Sequence, residues 1–168
     1  MLGEHAILYE HGRVLAAGEP LEVFGAPVKA SVARLTGVEN VFEGRVVSQS
    51  EAAGTMSVNI GGETAPFRVD VPLGSQSVGE IVTVAVRSGD ILLATEEPRS
   101  TSARNILRGR ITGIEERNEQ VMVRVNCSGV RWVVSVTRQA ARELMLAQER
   151  DVWLAIKTYS CHLLDVGP

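Results

Sequence analysis

A chain of 168 residues with 45% hydrophobic and 22% charged residues has room for one medium or two small globular domains. Its net charge of −3 and its 4% aromatic content argue against a nucleic-acid partner, which needs concentrated Lys and Arg or a base-stacking groove. No apolar run approaches the roughly 18 residues of a membrane span, and residues 1–5 do not open a basic-then-apolar leader. A cytoplasmic chain without direct membrane insertion is therefore expected.

Residues 6–9 and 13–16 are apolar runs around Glu10-His11-Gly12, the pattern of a hairpin with glycine in its turn. Pro20 then starts one short helix and Pro27 a second, in which Val28, Val32 and Leu35 share a face and Gly37 ends the run. Residues 1–39 cannot bury much of a core alone and read as the edge of something larger.

From Asn40 the period changes to two, with glycine-rich breaks. Strands are predicted over 41–48, 55–60, 64–71, 80–86 and 91–95, and again over 106–115, 120–127, 130–136, 152–156 and 161–166. One helix is predicted over 138–146, capped by Thr137, with Ala141, Leu144 and Met145 facing inward. Cys127 and Cys161 lie in apolar strand runs and read as buried thiols rather than a disulfide framework. His5, His11 and His162 are scattered, so neither a metal site nor a cofactor is expected.

The two strand sets repeat. Asn40-Val41-Phe42-Glu43-Gly44-Arg45-Val46 aligns with Asn105-Ile106-Leu107-Arg108-Gly109-Arg110-Ile111, and Ala85-Val86-Arg87-Ser88 with Ala155-Ile156-Lys157-Thr158. Five strands per copy fit a mainly β chain of two OB-like small barrels, 40–98 and 99–168, after the 1–39 segment. Units this small bury little surface alone, so pairing of the barrels and a homodimer are expected.

Ala6-Ile7-Leu8-Tyr9-Glu10-His11-Gly12-Arg13-Val14 and Gly18-Glu19-Pro20-Leu21-Glu22-Val23 resemble the end of an ABC transporter ATPase domain, beyond its ATP-handling motifs. No GxxxxGK[ST] phosphate loop occurs in the chain, so it is expected neither to bind nor to hydrolyse ATP, and not to be an enzyme. Thr101-Ser102-Ala103-Arg104-Asn105-Ile106-Leu107-Arg108-Gly109, with Ala155-Ile156-Lys157 downstream, resembles the Mop or TOBE molybdate-binding module. Ala94-Thr95-Glu96-Glu97-Pro98 resembles the linker ahead of it in molybdate importers. The resemblance implies a cytoplasmic regulatory module of a molybdate-type ABC importer, with other transporter subunits as partners at the inner face of the membrane.

It also implies a ligand, molybdate or tungstate, sitting between subunits and held by Ser102, the amide of Ala103, Arg104, Thr137, Lys157 and Thr158. The chemistry is consistent, because a buried dianion needs charged partners and hydrogen bonds. Each residue also has a plainer reading: Arg104 as a solvated strand-end charge, Lys157 as a snorkelling stem, Thr137 as an N-cap alone. In the first copy Gly37-Val38-Glu39 stands where Ser102-Ala103-Arg104 stands in the second, and Pro72 where Thr137 stands. The first copy therefore reads as degenerate, although Arg87 and Ser88 match Lys157 and Thr158. The competing reading is a structural dimerisation module whose anion site does not function.

Overall fold

The structure is a computed structural model that describes residues 5–10, 12–19, 38–61 and 66–164. The helices expected over 20–24 and 27–37, and the strand ends at 64–65 and 165–166, lie outside those residues. The hairpin of β1 (Ala6–Glu10) and β2 (Arg13–Gly18) forms as expected, with Gly12 at φ 78° in its turn, a conformation that favours glycine.

The rest is two five-stranded antiparallel sheets, each curled into a half-barrel. The first copy supplies β3 (Asn40–Ser50), β4 (Thr55–Asn59), β5 (Arg68–Pro72), β6 (Ile81–Val86) and β7 (Leu92–Ala94). The second supplies β8 (Asn105–Arg117), β9 (Gln120–Cys127), β10 (Val130–Thr137), β11 (Asp151–Ile156) and β12 (His162–Leu164). Alternation makes these strands: Met56 and Val58, Val69 and Val71, and Val121, Val123 and Val125 point inward while their neighbours are more exposed. Their buried side chains form one core that runs through both sheets.

Sequence reading placed residues 91–95 with the first set of strands and 161–166 with the second. The sheets exchange them. The orders are β12-β6-β3-β4-β5 and β10-β9-β8-β11-β7, so each copy gives its last strand to the edge of the other's sheet. Alternation determines which side of a strand is buried but not which edge it joins.

The repeat carries through to the backbone. β3 shifts register against β4 between Val46 and Ser48, and β8 against β9 between Ile111 and Gly113, a bulge at the same point of each copy. Gly44 and Gly109 are equivalent close approaches: a Cβ on either would lie 2.8 Å from the carbonyl oxygen of Asn59 or Asn126 across the ladder.

Two buried asparagines join the copies. Asn40 donates to the Val86 and Val133 carbonyls at 3.1 and 2.8 Å and accepts from the Val133 amide at 2.7 Å. Asn105 mirrors it, accepting from the Asp70 amide at 2.6 Å and donating to the Asp70 carbonyl at 2.9 Å. Each side chain thus holds the backbone of the opposite sheet as a neighbouring strand would. Phe42 and the fully buried Trp132 add an aromatic contact across the joint, with ring centroids 4.6 Å apart.

The helix α1 (Arg138–Glu143) is shorter than expected. Thr137 caps it, accepting from the Ala140 amide at 3.1 Å. Ala141 and Leu144 pack on the core as expected, but Met145 is 70% exposed. Met145 takes φ 48°, which ends the helix and turns its side chain out, while Arg150 donates to the Leu144 and Met145 carbonyls at 2.7 and 2.6 Å. No helix among the described residues is long and apolar enough to cross a membrane.

Candidate functional site

Two backbone features of the second copy converge on one face of the joint. Ser100 at φ 53° bends the connection between β7 and β8, and residues 101–104 lead from it into β8. After β11, Lys157 precedes a single 3-10 turn, Thr158–Ser160, which packs against β5 of the first copy. The first copy completes the wall with the turn between β3 and β4. The result is a cleft of 630 Å³ lined by Ala53, Gly54, Thr55 and Asp70 from the first copy, and by Ser102, Arg104, Lys157, Thr158 and Tyr159 from the second.

The lining carries a net positive charge, with Arg104 and Lys157 set against Asp70. Both cations are exposed, so their charge is available to a ligand at low desolvation cost. The Asp70 carboxylate accepts a hydrogen bond from Ser57 Oγ at 2.5 Å, which occupies part of its capacity. Thr158 is 7% exposed, and its hydroxyl is buried with no hydrogen-bond partner among the described residues. Buried hydroxyls are rarely left so, and one on the wall of a cationic cleft is a donor placed for something the cleft receives. Tyr159, 82% exposed, stands at the rim.

Of the six residues expected from the sequence, the cleft gathers Ser102, Arg104, Lys157 and Thr158. Ala103 lies between two of them, but its amide already donates to Thr101 Oγ1 at 3.2 Å. Thr137 does not line the cleft. It pairs with Gln120 beside the turn between β8 and β9 of its own sheet, and its hydroxyl oxygen is engaged as the cap of α1. Sequence reading missed Asp70 and the 53–55 turn. Both come from the copy that looked degenerate, and only the strand pairing shows that each cleft takes one wall from either copy.

The thiols are structural. Burial pushes Cys127 up to about 12, and burial together with the charge of Asp70 pushes Cys161 up to about 12. Cys161 lies beneath the cleft, with Sγ 3.7 Å from Asn105 Nδ2. No group of His, Cys, Asp and Glu suited to a metal ion occurs among the described residues.

Comparison with known proteins agrees with this architecture. Residues 101–163 match the TOBE domain family. The chain is 34% identical to the molybdate/tungstate import ATP-binding protein WtpC of Pyrococcus abyssi, across 94% of this chain and 41% of that protein. It is 28% identical to the molybdenum import ATP-binding protein ModC of Haemophilus influenzae, across 95% of this chain and 44% of that protein. The chain thus spans less than half the length of these curated relatives. The structure also matches the cytoplasmic molybdate-binding protein ModG, solved with molybdate bound, with a TM-score of 0.63 and 29% identity over 75% of this chain and 95% of ModG. Residues 101–163 are a TOBE domain, and the chain is homologous to the C-terminal regions of the ATP-binding subunits of molybdate and tungstate ABC importers.

Proposed function

We propose that this chain is a non-catalytic regulatory module that binds molybdate or tungstate in the cleft between its two barrels. Arg104 and Lys157 supply charge, Ser102 and Thr158 supply hydroxyl donors, and the Asn105 clamp fixes the Asp70 wall against them. The observation that carries the reading is the buried, unpartnered Thr158 hydroxyl in a cleft flanked by two cations. The relatives add support, since the named importers transport these oxyanions and ModG holds molybdate on the same fold.

In an importer of this kind the module reports the cytoplasmic oxyanion to the ATPase and its membrane partners. The exposed cations and Tyr159 leave the site open on one side, and a homodimer that covers that side would exclude water and strengthen the electrostatics.

Titration calorimetry with molybdate, tungstate and sulfate tests the reading. The two metal oxyanions are expected to bind and compete with each other. Arg104→Ala and Lys157→Ala should each weaken tungstate by roughly ten- to a hundredfold, the loss of one charge-assisted hydrogen bond. Thr158→Val should cost less, roughly threefold to tenfold, because a neutral donor is lost. No binding by the unmodified chain, or unchanged affinity in both cation variants, would refute the assignment.

A further inference from the structure

The approximate two-fold symmetry of the repeat gives the Arg104 cleft a pseudo-equivalent set of positions on the other face of the joint. Asn40 pairs with Val86 as Asn105 pairs with Ile156. Glu39 therefore occupies the position of Arg104, and Arg87, Ser88 and Gly89 those of Lys157, Thr158 and Tyr159. The 3-10 turn Ser88–Asp90 packs against β10 as Thr158–Ser160 packs against β5. The opposite wall then comes from the β8–β9 hairpin and Val133, the ladder counterparts of the β3–β4 turn and Asp70.

The two clefts differ in the sign of what fills them. Glu39 Oε2 accepts a hydrogen bond from the Ser88 amide at 3.1 Å, and Ser88 is itself 4% exposed. Val38, buried against Ala85 and the exchanged strand residue Leu164, anchors the backbone just before that carboxylate. Arg117, from the opposite copy, is held in its charged form mainly by its hydrogen bond to Glu115 and further by the field of Glu39. Val133 removes from this wall the negative charge that Asp70 brings to the other. A carboxylate on a main-chain donor, with a cation facing it, is the arrangement of a bound anion. Here the anion belongs to the chain.

We propose that Glu39 is a tethered anion that fills the first copy's counterpart of the oxyanion cleft, so that each chain takes one oxyanion rather than two. The inference rests on the oxyanion reading of the Arg104 cleft. A second dianion would have to displace the carboxylate from Ser88 and meet its charge at contact distance, where like charges repel strongly.

Equilibrium binding of sodium tungstate to the 168-residue chain decides it. The unmodified chain should bind one tungstate, and Glu39→Ala should bind two. The Arg104 cleft should keep its affinity in that variant, which also shows that the variant folds. Glu39→Ala combined with Arg104→Ala and Lys157→Ala should retain the new site alone. Two equivalents on the unmodified chain, or one on Glu39→Ala that disappears with Arg104 and Lys157, would overturn the inference and leave the Arg104 site standing. One equivalent on Glu39→Ala where the unmodified chain binds none would support the inference and refute the Arg104 site. Binding by neither would overturn both.

Discussion

Thr158 and Ser88 occupy equivalent positions, and the contrast between them shows how single residues set the chemistry of the two clefts. Ser88 has a carboxylate on its amide, whereas the Thr158 hydroxyl has no partner among the described residues. The carboxylate on the Ser88 amide traces to one position, Glu39 in the first copy and Arg104 in the second, and that charge contrast was legible in the sequence once the repeat was aligned. What the sequence could not show was that Glu39 reaches the Ser88 amide, because that depends on the path from Val38. The cysteines make a separate residue-scale prediction. With both thiols near 12, the thiolate fraction at pH 8 is about one in ten thousand. Labelling by a thiol-specific disulfide reagent should be very slow in the native chain and complete on unfolding; rapid native labelling of either would contradict the burial. The unfolded thiols ionise around 9 and the folded ones do not, so stability is fully present below that value and falls as pH rises from about 9 towards 12.

At the scale of elements, the asparagine clamps hold the sheets in register across the joint. Removing either side chain leaves a backbone amide and carbonyl of the opposite sheet short of partners, at about 1–3 kcal/mol for each group left buried and unsatisfied. Asn40→Ala and Asn105→Ala should both lower the denaturation midpoint, but only Asn105→Ala should also weaken tungstate, because Asp70 lines the Arg104 cleft. Equal effects on affinity would show that the clamps do not position the cleft. Thr137→Ala should cost about 0.5–2 kcal/mol as a lost N-cap and leave oxyanion affinity unchanged. Thr137 also illustrates the limit of reading elements from sequence. Its capping role was visible from the pattern that follows it, but its place relative to Arg104 was not: β10 shares a sheet with β8 and β11, yet Thr137 ends it beside Gln120, away from the residues that line the cleft. The strand alternation was equally plain, and so was the hairpin of β1 and β2. The exchange of β7 and β12 left no local trace, because three-residue edge strands such as Leu92–Ala94 carry no partner-specific pattern.

For the molecule as a whole, the exchange and the common core make the two barrels one cooperative body, so each cleft is built from both copies and neither copy alone can present it. This is why the wall formed by residues 53–55 and Asp70 escaped a reading that looked for a site inside the second copy. It also explains how a module of this size offers a fixed, cationic cleft without a metal-ligand cluster among its described residues. A tungstate ion held in that cleft would be located by the anomalous scattering of its tungsten. Crystals grown with tungstate and measured at a tungsten absorption edge should show an anomalous peak between Arg104 and Lys157, with an oxygen within hydrogen-bond distance of Thr158 Oγ1. A peak bound elsewhere on the chain, or an empty cleft at saturating tungstate, would contradict the oxyanion assignment.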